Sequence, residues 1–351
     1  MSNADTKTVA VIPGDGIGKE VTREALKVLD ALVKKQGLPI SYQVYHDISG
    51  DGFLKNGFVL NPEQFEELKT YSAIYLGAIG DPRVADPEYA KNIILKIRFG
   101  LDLYANIRPI KLYDPAFTPL EKKKPIDFTI IRENTEDMYL SIGGRLKPGT
   151  EDEVCVQEAI YTYKGVRRII EFAFEFAVKH QRTRVTLVDK SNVLTHGHLL
   201  WQRLFAEIGK KYPGIKQDSL YVDNACQQIV KRPWEFQVIV TTNMFGDIIS
   251  DLAGEVVGGL GLAPSANIHP GKFSMFEPVH GSAPKYAGQD VANPMAAILT
   301  LKMMLEHLGF PEAGAAVEAA LMKTIQAKVL PRDLGGAAKC SDVGSSIASF
   351  I

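Results

Sequence analysis

In the stretch TTNMFGDIISDLAG, residues 241–254, Asp247 and Asp251 stand four positions apart among Phe245, Ile248, Ile249 and Leu252. Carboxylates buried in an apolar run are unfavourable unless a cation or hydrogen-bond donors meet them. If the segment after Gly246 is helical, both side chains lie on one face, one turn apart, within reach of a single cation. That arrangement suits a hard divalent ion such as Mg2+ or Mn2+, which completes its shell with water and substrate oxygens. The plainer alternative is one capping and one solvated aspartate.

Arg98 and Arg108 lie ten residues apart in LKIRFGLDLYANIRP, and Arg132 closes the apolar run of IIRENTEDMY. Guanidinium forks grip carboxylates with paired hydrogen bonds, although each arginine alone would also suit a surface ion pair. Strand-end arginines combined with an acidic metal site point to a small substrate that carries carboxylates. Lys190, after the apolar run VTLVD, is a candidate base, because a partly desolvated lysine in a cation-rich site has its pKa lowered. Tyr139 is a candidate acid. Taken singly, the two are equally compatible with a solvated lysine and a core-edge tyrosine.

The elements that must position these groups alternate. TVAVIPGDGIGKEVTREALKVLDAL reads as a strand, a glycine turn and a helix with Val21, Ala25, Leu26 and Leu29 at helical spacing. SAIYLGAIG, DFTIIRE, RVTLVDK and FQVIVTTN are further short β-branched runs, each followed by a turn and a helix-like segment. The pattern predicts an α/β sheet with function at the strand ends. Residues 140–165 instead alternate short runs with turn residues, as β-hairpin excursions do. NPMAAILTLKMMLEHLG is expected to be a helix with Asn293 as N-cap, Pro294 at its first position and Gly309 as its stop.

Glycines 14, 16 and 18 form GxGxG, which is neither the GxGxxG dinucleotide fingerprint nor the GxxxxGK[ST] phosphate loop. A tight turn between strand and helix explains them equally well. Length and composition bound the rest: 351 residues suggest two domains, and 46% hydrophobic content supplies a core. With 40 basic and 41 acidic residues, the formal charge of −1 leaves no footprint for nucleic acid or an anionic membrane. No signal-peptide pattern or long apolar span is evident, so a soluble, cytoplasmic protein is expected. Cys155, Cys226 and Cys340 lack CxxC spacing and are expected to be buried small hydrophobes.

The motifs IPGDGIG, YANIRP, RENTE, DKSNV, TTNMFGDIISD and EPVHGSAPKYAGQDVANP, in this order, resemble the metal-dependent β-decarboxylating dehydrogenases of the isocitrate and isopropylmalate dehydrogenase family, from about residue 8 to the C-terminus. The resemblance implies an α/β, two-lobed fold with a large mixed sheet flanked by helices, which is not a Rossmann fold. One lobe, residues 1–103 and 256–351, would bind the cofactor. The other, residues 104–255, would carry the catalytic groups and a dimerisation arm at about 140–165. Asp247, Asp251 and Asp223 match the metal ligands, the last reaching in from a partner subunit. Arg98, Arg108 and Arg132 match the residues that grip the malate moiety. Lys190 matches the base, also from the partner, and Tyr139 the acid.

The nicotinamide cofactor is expected on His280, Gly281, Ser282, Ala283, Pro284, Lys285 and Tyr286, with Glu277, Asn293 and Asn192. Lys285 and Tyr286 match NADP-using relatives, whereas PRDLGGAAKC follows an NAD-type pattern, so NAD is expected with NADP as the alternative. Ile94 and Leu95 before Arg98 resemble a pocket for an isopropyl group, although Lys91 stands where many isopropylmalate enzymes carry glutamate. The expected activity is oxidative decarboxylation of 3-isopropylmalate, serving leucine biosynthesis, by a homodimer with shared sites. The alternatives are isocitrate, homoisocitrate, D-malate or tartrate as substrate, and a non-catalytic regulatory subunit, against which the full set of site residues argues.

Overall fold

The computed structural model describes residues 6–86 and 88–351. From the N-terminal side, β1 (Lys7–Gly14) leads into α1 (Gly18–Gln36), β2 (Ile40–Val44), α2 (Gly50–Asn56), α3 (Pro62–Leu68), β3 (Ala73–Ala78) and α4 (Lys91–Gly100). Then come β4 (Ala105–Lys111), β5 (Asp127–Glu133), the short strands β6 (Gly143–Leu146) and β7 (Val154–Gln157), α5 (Tyr163–Lys179) and β8 (Arg184–Asp189). These are followed by α6 (Thr195–Gly209), β9 (Lys216–Tyr221), α7 (Val222–Lys231), β10 (Val238–Thr241) and α8 (Asn243–Val256). The last elements are β11 (Pro264–His269), β12 (Phe273–Pro278), α9 (Met295–His307), α10 (Pro311–Gln326) and α11 (Cys340–Phe350).

The chain divides into two compact units. One holds the residues up to Leu103, Leu112–Lys123 and everything from Val257, and the other holds Tyr104–Lys111 and Lys124–Val256. Residues 112–123, assigned to the central lobe from sequence, cluster with the terminal segments. Lys328 pairs with Asp114 at 3.6 Å, and the backbone at Gly258 runs so close to Phe117 that a Cβ there would lie 2.9 Å from the Phe117 Cβ.

In the first unit the strands run β2-β1-β3-β12-β11, parallel except for the antiparallel β11–β12 pair. In the second they run β4-β5-β10-β8-β9, with β4 antiparallel to β5 and the others parallel. Neither order is that of a dinucleotide-binding Rossmann sheet. Inner strands are buried on both faces, so Val9–Ile12 and Val238–Thr241 read as continuous apolar runs rather than alternating ones.

The glycine turn after β1 is a packing device. A Cβ on Gly14 would lie 2.0 Å from the Ala78 carbonyl oxygen, and one on Gly16 would lie 2.0 Å from that of Ser282. The close approach lets the Asp15 and Ile17 amides donate to those two carbonyls at 2.7 and 2.8 Å. Asp15 itself is buried and gathers three loops, accepting from the Gly50 and Gly80 amides at 2.7 and 2.8 Å and from the Tyr89 hydroxyl at 2.6 Å. Val21, Ala25 and Leu29 of α1 are buried as expected, with Val28 completing the stripe in place of the half-buried Leu26.

The helix expected from Pro294 begins one residue later. The Asn293 side chain accepts from the Met295 amide at 2.9 Å, and the Gly309 amide, at φ +92°, closes the far end on Glu306. Between 140 and 165, β6 and β7 pair antiparallel as a ribbon whose residues are all exposed, Leu146, Val154 and Val156 among them. Cys155 lies on this ribbon and is exposed, Cys226 is half-buried, and only Cys340 is buried, contrary to the expectation for all three. The reason is that β7 has no packed face. Among the described residues no helix is long and apolar enough to cross a membrane.

Candidate active site

The core of the candidate site lies in the second unit, on α8. Asp247 and Asp251 occupy one helical face as expected, but they are not buried: their side chains are 40% and 52% exposed, and Ile248 between them faces solvent. The buried charges are arginines. Arg132, at the end of β5, is 1% exposed, and Arg108 of β4 is also buried. Arg132 pairs with Asp247 through Nη1 and donates to the Asn243 side-chain oxygen from Nε at 3.0 Å and from Nη2 at 2.6 Å. Arg108 donates to Asn106 at 2.8 Å and to the Ser250 hydroxyl at 2.6 Å, and it lies 3.2 Å from Asp247 and 3.5 Å from Asp251. The Tyr139 hydroxyl donates to the second oxygen of Asp247 at 2.8 Å, and its ring sits 5.0 Å from the Arg132 guanidinium. Burial pushes the Asp251 carboxyl upward, an effect that Arg108 opposes and the neighbouring Asp247 charge reinforces.

Glycine 246 permits this layering. A Cβ at that position would lie 2.5 Å from Cγ of Arg132, whose aliphatic stem crosses the helix there. A Gly246→Ala variant, although favourable for helix propensity, is expected to displace Arg132 and weaken substrate binding by about tenfold or more, since roughly 1 Å of misplacement can cost 10²-fold. An unchanged KM for the hydroxyacid in steady-state assays would contradict this.

Beside Arg132, Glu133 is almost fully buried and accepts from the Thr135 amide and hydroxyl and the Glu136 amide, each at 2.8 Å. Burial outweighs those donors and raises its carboxyl to about 7. A folded-state pKa above the unfolded value of about 4.3 means that the native state holds the proton more tightly. This group therefore costs stability progressively as pH rises from about 4.3 to 7, by roughly 4 kcal/mol in full. Urea midpoints between pH 5 and 8 are expected to fall more steeply for the wild type than for Glu133→Gln, and parallel curves would refute the assignment.

Lys190 and Asp223 meet each other rather than a cation-rich surrounding. The lysine sits in the turn between β8 and α6, Asp223 in the first turn of α7, and the Nζ–Oδ1 distance is 2.5 Å. The pairing follows from the parallel β8–β9 register, with Asp189 opposite Tyr221, which brings the two strand ends together. Asn192 is exposed in the same turn. Two carboxylates open to solvent fit a hard, oxygen-seeking cation in donor type. Among the described residues, however, no group of three or more His, Cys, Asp or Glu side chains gathers around one point.

The remaining candidates lie in the first unit. Arg98, in the last turn of α4, donates to Glu277 at 2.6 Å, and Glu277 also accepts from Asn267 at 2.9 Å. The buried Nε of Arg98 has no hydrogen-bond partner. Ile94 and Leu95 are half-buried, and Ile94 packs against the core formed by Ile93, Ile97 and Leu101. Lys91 is exposed and paired with Glu88 at 2.8 Å.

The Ser282 hydroxyl donates to the Gly80 carbonyl at 2.6 Å, tying the loop 280–286 to the end of β3, and Ala283 takes a left-handed conformation before the short turn at Pro284. His280 Nδ1 lies 3.0 Å from the Gly281 carbonyl. Its Nε2 is enclosed without a partner, and burial holds the imidazole below its ordinary pKa. A lone enclosed ring nitrogen beside an open glycine fits a hydroxyl-rich nucleotide. The Lys285 ammonium lies 4.7 Å from the Tyr286 ring, and Asn293 donates to Asp333 at 3.0 Å.

Sequence reasoning missed Asn106, Asn243 and Ser250, which hold the arginines. Nothing in local spacing marks Asn243 and Ser250, whose arginines lie 111 and 142 positions away, whereas Asn106 stands two residues before Arg108 on the same strand, a spacing that could have suggested it. The second unit thus sets two buried arginines of a mixed α/β sheet against a helix bearing two carboxylates, and comparison with known proteins gives the family. The chain belongs to the isocitrate/isopropylmalate dehydrogenase family, whose model matches residues 8–347. It is 43% identical to the 3-isopropylmalate dehydrogenase of Thermobifida fusca over 99% of both chains. It is 45% identical to that of Corynebacterium jeikeium over 97% of this chain and 98% of the relative. Among solved structures, the isocitrate dehydrogenase of Methylococcus capsulatus superposes with a TM-score of 0.89 at 34% identity, covering 98% of this chain and 99% of that one.

Proposed function

We propose that the protein catalyses the NAD-linked, divalent-metal-dependent oxidative decarboxylation of 3-isopropylmalate in leucine biosynthesis, as a cytoplasmic homodimer whose sites draw on both subunits. The observation that carries the choice of substrate is on α4. Ile94 and Leu95 offer a half-buried apolar surface one turn before Arg98, and Lys91, the side chain that would greet a distal carboxylate, is committed to Glu88. An isopropyl group suits that surface, and a third carboxylate there would lose its solvation without a partner.

The ion pairs on α8 describe a resting arrangement that binding would exchange. Arg108 and Arg132, already desolvated, would turn to the substrate carboxylates. Asp247 and Asp251 would then hold the cation with Asp223 of the neighbouring subunit, which leaves Lys190 without its carboxylate and available as a base. When bound, the cation supplies Lewis-acid polarisation of the oxygen on the reacting carbon. When bound, the nicotinamide accepts the hydride.

Lys190 of the neighbouring subunit would take the proton of the 2-hydroxyl as its carbon loses hydride, and the ketone formed activates the carboxyl group β to it for loss as CO2. Tyr139, whose hydroxyl is held on Asp247, would deliver a proton to the carbon left behind. We assign the terminal unit to cofactor binding, through the 280–286 loop, Glu277 and Asn293, and the exposed ribbon β6–β7 to subunit contact, since a two-stranded ribbon without a packed face is marginal alone. NADP is the second reading, favoured by Lys285 and Tyr286.

Reduction of NAD and NADP by the purified protein with Mn2+, tested on 3-isopropylmalate, isocitrate, D-malate and tartrate, distinguishes these readings. A kcat/KM preference for 3-isopropylmalate is expected. Preference for isocitrate or a smaller hydroxyacid would assign the pocket to Lys91 rather than to Ile94 and Leu95 and overturn the reading.

A further inference from the structure

We propose that His198 is a positioning residue for Lys190, fixing the turn that carries the lysine and anchoring it, through Tyr161 and Asp137, to the start of the helix that bears Asp247 and Asp251. The inference rests on the reading of Lys190 as the base.

Three hydrogen bonds run in one direction from Lys190 to Asp137, and a fourth meets them at that carboxylate from the other side. The Lys190 amide donates to His198 Nδ1 at 2.9 Å, which places the imidazole proton on Nε2. Nε2 lies 3.2 Å from the Tyr161 hydroxyl, which in turn donates to Asp137 Oδ1 at 2.8 Å. Asp137 Oδ2 accepts from the Met244 amide at 2.9 Å, in the first turn of α8. The Lys190 carbonyl accepts from the Val193 and Leu194 amides at 3.0 and 2.8 Å, so the lysine backbone is held at both its donor and its acceptor.

The relay is built into the packing. His198 is fully buried in the first turn of α6, edge-on to Tyr161 with ring centres 5.1 Å apart, and it faces Phe245 at 5.5 Å. Gly197 makes the room, because a Cβ there would lie 2.3 Å from the Tyr161 ring. Burial keeps the imidazole below its ordinary pKa against the pull of Asp189 and Asp137, so Nδ1 remains an acceptor. Asp137 holds a left-handed backbone, φ +69°, two residues before Tyr139, with its amide on the Ile160 carbonyl. One connected set of side chains thus orients the lysine turn, the tyrosine segment and the aspartate helix. No alternation or spacing in the sequence indicates it, because the linked residues are 8, 37, 24 and 107 positions apart.

The test is steady-state kinetics with 3-isopropylmalate, NAD and Mn2+ on His198→Ala, His198→Asn, Tyr161→Phe, Lys190→Met and the His198→Ala/Lys190→Met double variant. Displacing the lysine by about 1 Å is expected to lower kcat of His198→Ala roughly 10- to 100-fold with little change in KM. Asparagine places an amide oxygen where Nδ1 stood and is expected to restore kcat to within about threefold of wild type. If His198 acts through Lys190, adding His198→Ala to Lys190→Met lowers kcat no further. Wild-type kcat in His198→Ala, no rescue by asparagine, or a further fall in the double variant would each overturn the proposal. Should His198→Ala fail to fold, Tyr161→Phe, which keeps the imidazole but removes its anchor, is expected to show a several-fold loss in kcat alone, and wild-type kcat in that variant would overturn the proposal equally. Loss of activity in Lys190→Met with full activity in His198→Ala would sink only the positioning role, whereas full activity in Lys190→Met would sink the base assignment itself.

Discussion

Lys190→Met is expected to lower kcat by about 10²- to 10⁴-fold, the usual range for removal of a positioned general base, while KM for the hydroxyacid changes far less. Methionine keeps the length and the apolar stem of the side chain but accepts no proton. The lysine is 26% exposed and its contacts are to Asp223 at 2.5 Å and the Tyr221 ring at 5.8 Å, so the fold does not depend on its charge. A kcat within a factor of about three of wild type would remove Lys190 from the chemistry. The same variant tests whether sites are shared. Refolded together with Asp251→Asn and assayed at a Mn2+ concentration too low to support Asp251→Asn alone, it is expected to recover about a quarter of wild-type activity, because half the dimers are mixed and each mixed dimer holds one intact site.

The second large effect is expected from Asp251→Asn. The substitution preserves shape and leaves one oxygen, but it removes a charge from the carboxylate pair. Outer-shell changes at metal sites already cost about 10–100-fold, so loss of a ligand is expected to exceed that in the Mn2+ concentration required for half-maximal activity. Arg108, which lies 3.5 Å from Asp251, keeps its bonds to Ser250 and Asn106, so substrate affinity at saturating Mn2+ is expected to change less. An unaltered metal requirement would show that Asp251 is a partner of Arg108 and nothing more.

Much of this was legible in the sequence because it is local. DFTIIRE coincides with β5, the 140–165 stretch does form a ribbon, and the four-residue spacing of Asp247 and Asp251 places both on one face of α8. What could not be read is long-range. The partners of Asp247 are Arg132, Arg108 and Tyr139, and the residues that hold those arginines, Asn243 and Ser250, lie 111 and 142 positions away from them. The aspartates were expected to be buried from the apolar residues around them. The structure reverses the layers, since Gly246 lets Arg132 lie beneath the helix while the carboxylates stay half open to solvent. Lys190 was expected among cations, and the register of β8 against β9 instead delivers Asp223 to it.

The most direct test of the account is Mn2+ binding, followed by the loss of its free-ion electron paramagnetic resonance signal as protein is added, with and without 3-isopropylmalate. The account predicts one ion bound per subunit, held more tightly when the substrate engages Arg108 and Arg132, and lost in both Asp247→Asn and Asp251→Asn. Mn2+ binding that survives both substitutions and ignores the substrate would contradict it.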